Sequence, residues 1–364
     1  MLVDRRPPPA GPPDRARPGW RAARGSLVLA VLAAWAACAE KSDAEYRAEV
    51  VVSIHDSIAA DLADLVAAAR DLQAASPSRT WREAADAEAI AAMRAAWKRT
   101  RVAYEHVEGA IVALFPEIDT TLDARYEELL ATLGPAGDPD PFDAVGVTGM
   151  HGIERILFAP MIRPEVIAFE RTLPGYRPAA YPASDDEAIA FKTVLVQLLI
   201  DRASDLRKQW QPAAIDLEAA YRGLIGLMNE QKDKVNLGAT GAEESRYANL
   251  TLFDLRNNLE GTQTVYHLFR AWVRSKAAGV RSDATLESKF DELATLYATT
   301  TSDALPPPPE DWVADHPTAG NLATPYGTLW QVVHASVDPD SDGSVVFEMN
   351  HIAALLGFPL FVEP

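Results

Sequence analysis

One cysteine in 364 residues leaves no partner for an internal disulfide and too few thiolates for a Cys-rich zinc site. None of the seven histidines is followed directly by Glu, so the chain lacks the H-E-x-x-H helix of a zincin protease. Basic residues are scarce, 34 Lys and Arg against 52 Asp and Glu, for a net charge of −18. Such an acidic surface repels phosphate backbones and argues against nucleic acid as a partner. No segment alternates apolar and polar residues over a useful length, which leaves little support for strands. The one unbroken apolar run, Ser26–Ala37, has twelve residues and is too short to span a bilayer as a helix.

That run does fit a secretory leader. An Arg- and Pro-rich stretch precedes it, and small residues lead to Cys38. Residues 1–37 carry six Arg and two Asp, a balance of +4, so the remainder holds −22. Ala36-Ala37-Cys38 resembles a bacterial lipobox, with Trp35 where Leu is usual. Residues 1–38 are therefore expected to direct the chain to the cell envelope or periplasm, with a membrane anchor through lipid on Cys38. Simple signal cleavage is the alternative.

The rest reads as helix after helix. Val51, Ile54, Ile58, Leu62, Leu65, Val66 and Leu72 recur at spacings of three and four. Ser76-Pro77 breaks that stripe. Thr80 with Glu83 has capping-box spacing for a second long helix through Met93, Trp97, Tyr104 and Ile111, ended by Pro116. A short helix is expected near Leu122–Leu133, then a Gly/Pro/Asp loop, then a helix around His151. Ser184 with Glu187 caps a helix to about Trp210. Further helices are expected over 214–236, 243–278, 285–299, 326–336 and 345–356. Pro306–Pro309 is a polyproline spacer. The fold class is all-α, and the expected organisation is a leader (1–38), an N-terminal bundle (45–175), a C-terminal bundle (184–300) and a tail (301–364).

Within this frame the chemistry centres on Gly149-Met150-His151-Gly152-Ile153-Glu154, a G-x-H-x-x-E. Residues three apart share a helix face, so His151 and Glu154 are expected to ligate one metal ion together. An H-x-x-E pair also arises by accident in a Glu-rich chain, so its neighbours matter. Glu105 and Glu108 are again three apart, beside Tyr104. A carboxylate pair facing an H-x-x-E pair would make an oxygen-rich site with one nitrogen. The bland reading is a solvated helix face with an Arg101–Glu105 pair. Asp119 can cap the following helix, and for Asp123, one turn in, a surface role is equally easy.

Taken together, Y-E-x-x-E, I-D-x-x-L-D-A-R and G-x-H-x-x-E-R-x-L-F resemble the imelysin-like superfamily, in particular its EfeO/EfeM branch of periplasmic iron-uptake proteins. Glu243-Glu244-Ser245-Arg246-Tyr247 and the stretch from Leu252 to Gly261 are similar to that branch too, with departures at Asn249 and Asn257. The resemblance covers roughly Tyr46 to Thr299. It implies two helical halves with a cleft between them. It also implies a metal site using His151 and Glu154, with Glu108 and Asp123 next and Glu105 and Asp119 weaker. Glu244, Tyr247 and Asp254 would line the cleft. The implied role is capture or delivery of a transition metal, iron first with zinc or manganese chemically allowed, for an inner-membrane iron permease. An imelysin-type metallopeptidase and a metal-free ligand-binding module are the rival readings.

Asp338-Pro339-Asp340-Ser341-Asp342-Gly343 opens like a calcium loop. Its closing acid falls at Glu348 rather than 349, and an acidic turn is the better reading. Trp97 and Trp272 suit core positions.

Overall fold

The computed structural model describes residues 41–300 and 302–362. The leader expected over 1–38, with Cys38, lies outside them. Among the described residues there are helices and no strand, in agreement with the all-α expectation. The first, α1 (Asp43–Ala75), buries Val50, Ile54, Ile58, Leu62, Leu65, Val66 and Leu72 along one stripe. That stripe is what gives a long helix tertiary stability. Ser76 Oγ donates to Leu72 O at 2.8 Å and closes its end.

The second helix departs from expectation at both ends. It starts at Ala87, because Thr80 bonds Asp185 instead of forming a box with Glu83. It also breaks after Glu105, giving α2 (Ala87–Glu105) and α3 (Glu108–Leu114). The helix expected near 122–133 is likewise two, α4 (Pro116–Asp123) and α5 (Tyr126–Leu133), so Asp119 lies inside a first turn and does not cap. Then come α6 (Gly149–Leu157), a 3-10 turn (Ala159–Met161) and α7 (Pro164–Glu170).

Ser184 accepts from the Glu187 N–H as its spacing predicts and starts α8 (Asp185–Ala190). A π-turn (Phe191–Leu195) joins it to α9 (Val196–Trp210). Asp216 caps α10 (Leu217–Leu237). The helix expected from residue 243 begins only at Thr251, as α11 (Thr251–Ser275), followed by α12 (Gly279–Thr299). Residues 239–250 are instead a turn segment. The tail forms α13 (Ala319–Leu322), α14 (Pro325–Val337) and α15 (Val345–Leu356). The acidic stretch 338–343 is a turn before the Ser344 cap of α15.

Backbone contacts gather the chain from Tyr46 onward into one compact unit. In it α3 packs on α10, α2 on α11 and α6, and α12 on α11. The tail docks on the rest: α14 lies on α10, with Tyr326 Oη donating to Val235 O at 2.6 Å, and α15 packs on α12. The α3–α10 crossing is close. A Cβ on Gly223 would stand 1.9 Å from Gly109 O. Trp97 is wholly buried and ties α2 to α6 through its indole N–H, 3.0 Å from Met150 O. An aromatic side chain of this size removes enough apolar surface from water to contribute about 4–6 kcal/mol.

Candidate metal centre

The start of α6 explains where His151 sits. Gly149 has φ of 82°, a left-handed conformation that favours glycine. A Cβ there would lie 2.7 Å from Leu122 O. Glycine therefore lets α6 begin directly against the end of α4, where Asp123 is the last residue. His151 is buried, and its Nε2 lies 3.3 Å from Asp123 Oδ1 without hydrogen-bond alignment.

Glu154 faces His151 at 2.8 Å, Nδ1 to Oε2. Its other oxygen accepts the backbone N–H groups of Tyr247 at 3.0 Å and Ala248 at 2.8 Å. Ring Nδ1 donates to the oxygen that faces it. Glu154 thus spends both oxygens on positioning, one on the imidazole and one on the 239–250 turn. The sequence reading put it beside His151 as a second ligand; here both of its oxygens already have partners, the ring on one side and the turn on the other. Burial disfavours a charged ring, but the neighbouring Asp123 and Glu154 carboxylates outweigh burial and lift the His151 pKa to about 9. A metal ion ligated at Nε2 would displace the proton of that nitrogen and leave Nδ1–H on Glu154.

The turn that Glu154 pins carries Glu244. Asp123, His151 and Glu244 each present a donor atom within 4.8 Å of the others. They come from α4, α6 and the turn, which no sequence spacing relates. Lys234 Nζ lies 2.9 Å from Glu244 Oε2, and Arg101 Nη2 lies 3.0 Å from Glu244 Oε1. Burial opposes the Glu244 anion, but these two cations hold its pKa down to about 2. Asp123 and Glu244 also line a pocket of about 350 Å³ whose wall includes Glu108, Asp119, Glu128, Glu230 and Asp233. Arg125 and Lys234 line it too, but the acids outnumber them, and the balance favours cations at the mouth of the triad.

The remaining expected residues are distributed around this point. Glu105 meets Glu244 and Asp254 in a second buried triad. Burial pushes Glu105 well above the usual carboxylate range and Asp254 to about 7, against the pull of Arg101. Asn258 Nδ2 donates to both Glu105 Oε2 at 2.5 Å and Glu108 Oε2 at 2.7 Å, and Glu108 also faces Lys234. Asp119 accepts from the Tyr104 hydroxyl. Tyr247 is buried with its hydroxyl on Glu170 at 2.7 Å, so it supports the turn through its backbone and not the pocket wall.

The solvated face read for Arg101 and Glu105 is wrong: both side chains are fully buried. Arg101 pairs with Glu105, Asp123, Glu244 and Asp254 at once. Sequence reasoning also missed Lys234 and Asn258. A signal for Arg101 existed, since it stands four residues from Trp97 and three from Tyr104, on the core face of α2.

The arrangement defines a class, an all-helical protein with a buried imidazole and converging carboxylates at the base of an acidic pocket. The imelysin family model (Peptidase_M75) matches residues 58–319, and the chain belongs to that family. Among curated relatives, the iron uptake system component EfeO of Escherichia coli K12 is 25% identical over 252 residues, 69% of this chain and 56% of that protein. EfeO of Shigella flexneri gives the same values. The chain thus spans little more than half the length of these relatives. Among solved structures it is similar to an iron-regulated protein A precursor from Parabacteroides distasonis ATCC 8503, with a TM-score of 0.57 and 14% identity over 88% of this chain and 97% of that one. An imelysin-like protein from Psychrobacter arcticum 273-4 gives 0.54 and 14%, covering 89% and 99%. At that identity the likeness concerns the fold alone.

Proposed function

We propose that this chain is an exported iron-binding protein of the cell envelope, which captures the metal at Asp123, His151 and Glu244 and passes it on for uptake. One observation carries the reading. The Nε2 of a buried histidine has no hydrogen-bond partner while its Nδ1 is fixed by a carboxylate. A buried polar atom left in that state needs an explanation, and a metal ion supplies one. Two carboxylates with one imidazole suit a hard or borderline ion such as Fe(III), Fe(II), Mn(II) or Zn(II). The choice of iron leans on the name of the EfeO relatives.

In this reading the acidic pocket gathers the ion, Asp123 and Glu244 draw it inward, and His151 completes the first set of protein ligands. Glu154 keeps the ring and the Glu244 turn in register. Export and a lipid anchor at Cys38 belong to the same proposal, as does an inner-membrane iron permease as the receiving partner. No helix of the described residues is long and apolar enough to cross a membrane.

The test is the iron retained per chain after anaerobic loading with Fe(II) and desalting, measured by elemental analysis. Wild type is expected to hold one ion. H151A/D123N is expected to hold none. Equal retention by both refutes the proposal.

A further inference from the structure

Two sets of donor atoms share Glu244: Asp123–His151–Glu244 and Glu105–Glu244–Asp254. A single guanidinium touches four of those five side chains. Arg101 Nη1 pairs with Asp123 Oδ1, and Nη2 lies 3.0 Å from Glu244 Oε1. Those are the two carboxylates that flank His151 Nε2. The same Nη2 also pairs with Glu105, and on the Nε side Arg101 lies 3.5 Å from Asp254. The side chain is wholly buried. Asp254 Oδ2 is also buried and without a hydrogen-bond partner, so the far side keeps an unused acceptor.

We propose that Arg101 is a tethered cation that competes with the captured metal for Asp123 and Glu244. The ion enters as the guanidinium withdraws toward Glu105 and Asp254, and the guanidinium's return favours release. This rests on the reading of Asp123, His151 and Glu244 as the metal centre.

The chemistry follows from three properties of arginine. Its guanidinium does not lose its proton in proteins, so it can yield the site only by moving. Its planar fork can hold two carboxylates at once, as it does here with Asp123 and Glu244. A metal ion within one side chain's distance of it in a protein interior meets like-charge repulsion well above thermal energy. Lys234 makes the arrangement directional. It holds Glu244 Oε2 at 2.9 Å, so Oε1 is the oxygen over which Arg101 and the metal contend. The centre without metal is thereby neutralised in part by its own chain, which spares the buried acids an uncompensated charge.

An apparent affinity is reduced by the fraction of molecules able to bind, so a guanidinium that occupies the site most of the time weakens capture by about tenfold or more. The test is anaerobic calorimetric titration of Fe(II) into wild type, R101Q and R101Q/E105Q. The double variant removes the guanidinium together with the carboxyl group it pairs with. Both variants are expected to bind at least tenfold tighter than wild type. Unchanged or weaker binding by a variant that keeps the wild-type circular dichroism overturns the competition and leaves the metal centre standing. No saturable binding by any of the three proteins refutes the metal-centre reading itself. Should neither variant fold, a crystal of wild type soaked in Fe(II) decides. Arg101 is expected to have left Asp123 and Glu244, and a guanidinium still bonded to both beside a bound ion overturns the proposal.

Discussion

His151 Nδ1 and Glu154 Oε2 stand 2.8 Å apart, and the same Glu154 side chain accepts two backbone N–H groups from the turn that presents Glu244. One carboxylate therefore sets both the ring and the loop. E154Q is expected to keep the fold and weaken metal binding by about 10–100-fold, the usual effect of removing a partner behind a metal-binding histidine. Titration calorimetry checks this. An affinity equal to wild type would mean that the ring and turn hold their places without the carboxylate.

Arg155 and Glu170 form a second buried pair, at 2.7 and 3.0 Å, and Glu170 also accepts the Tyr247 hydroxyl. Removing the cation alone strands a buried carboxylate. R155A should lose about 3–5 kcal/mol in urea unfolding, and R155A/E170A should recover part of that loss. A loss below about 1 kcal/mol for R155A would show that water reaches Glu170.

The α3–α10 crossing gives a packing test. The Cβ of G223A would meet the Gly109 carbonyl oxygen at 1.9 Å, and a backbone atom cannot turn aside. G109A meets flexible Leu224 and Leu227 side-chain atoms at 3.1 and 3.2 Å, with the Leu224 Cα also at 3.2 Å. G223A is expected to cost about 3 kcal/mol and G109A distinctly less. Thermal unfolding of the two variants decides the order.

His334 supplies a pH dependence remote from the metal centre. Burial, with Lys232 nearby, lowers its pKa from 6.5 to about 4. Between those values the unfolded chain binds the proton and the folded chain does not. Stability from this group is thus complete above about pH 6.5 and lost as pH falls toward 4. The ring is partly exposed, so solvent screening leaves about 1–2 kcal/mol. H334Q should flatten that part of the stability curve. A wild-type curve with the same slope as the variant between pH 4 and 6.5 would contradict the assignment.

The long helices were legible because periodicity and side-chain caps are local. The α1 stripe and the Ser184–Glu187 cap stand where their spacing puts them. The interruptions were not legible. No Pro or Gly marks the breaks at 106–107 and 124–125. Residues 243–250 carry ordinary helix formers, yet the Tyr247 and Ala248 N–H groups are taken by Glu154, some ninety residues away in sequence. Glu105, Glu108, Asp123, His151 and Glu154 could be named from spacing and resemblance. Their roles could not, because three-residue spacing fits a pair of ligands and a ligand with its orienting partner equally well. Arg101 was readable in principle from the face it shares with Trp97 and Tyr104, but its charge suggested solvent.

The most direct test of the metal centre is an anomalous difference map, recorded at the iron edge, from a crystal of the protein loaded with Fe(II). The account predicts one peak bonded to His151 Nε2, Asp123 and Glu244 at about 2.0–2.2 Å, with Glu154 behind the ring and not on the metal. A loaded crystal with no peak at Nε2, or with Glu154 directly on the ion, would contradict it.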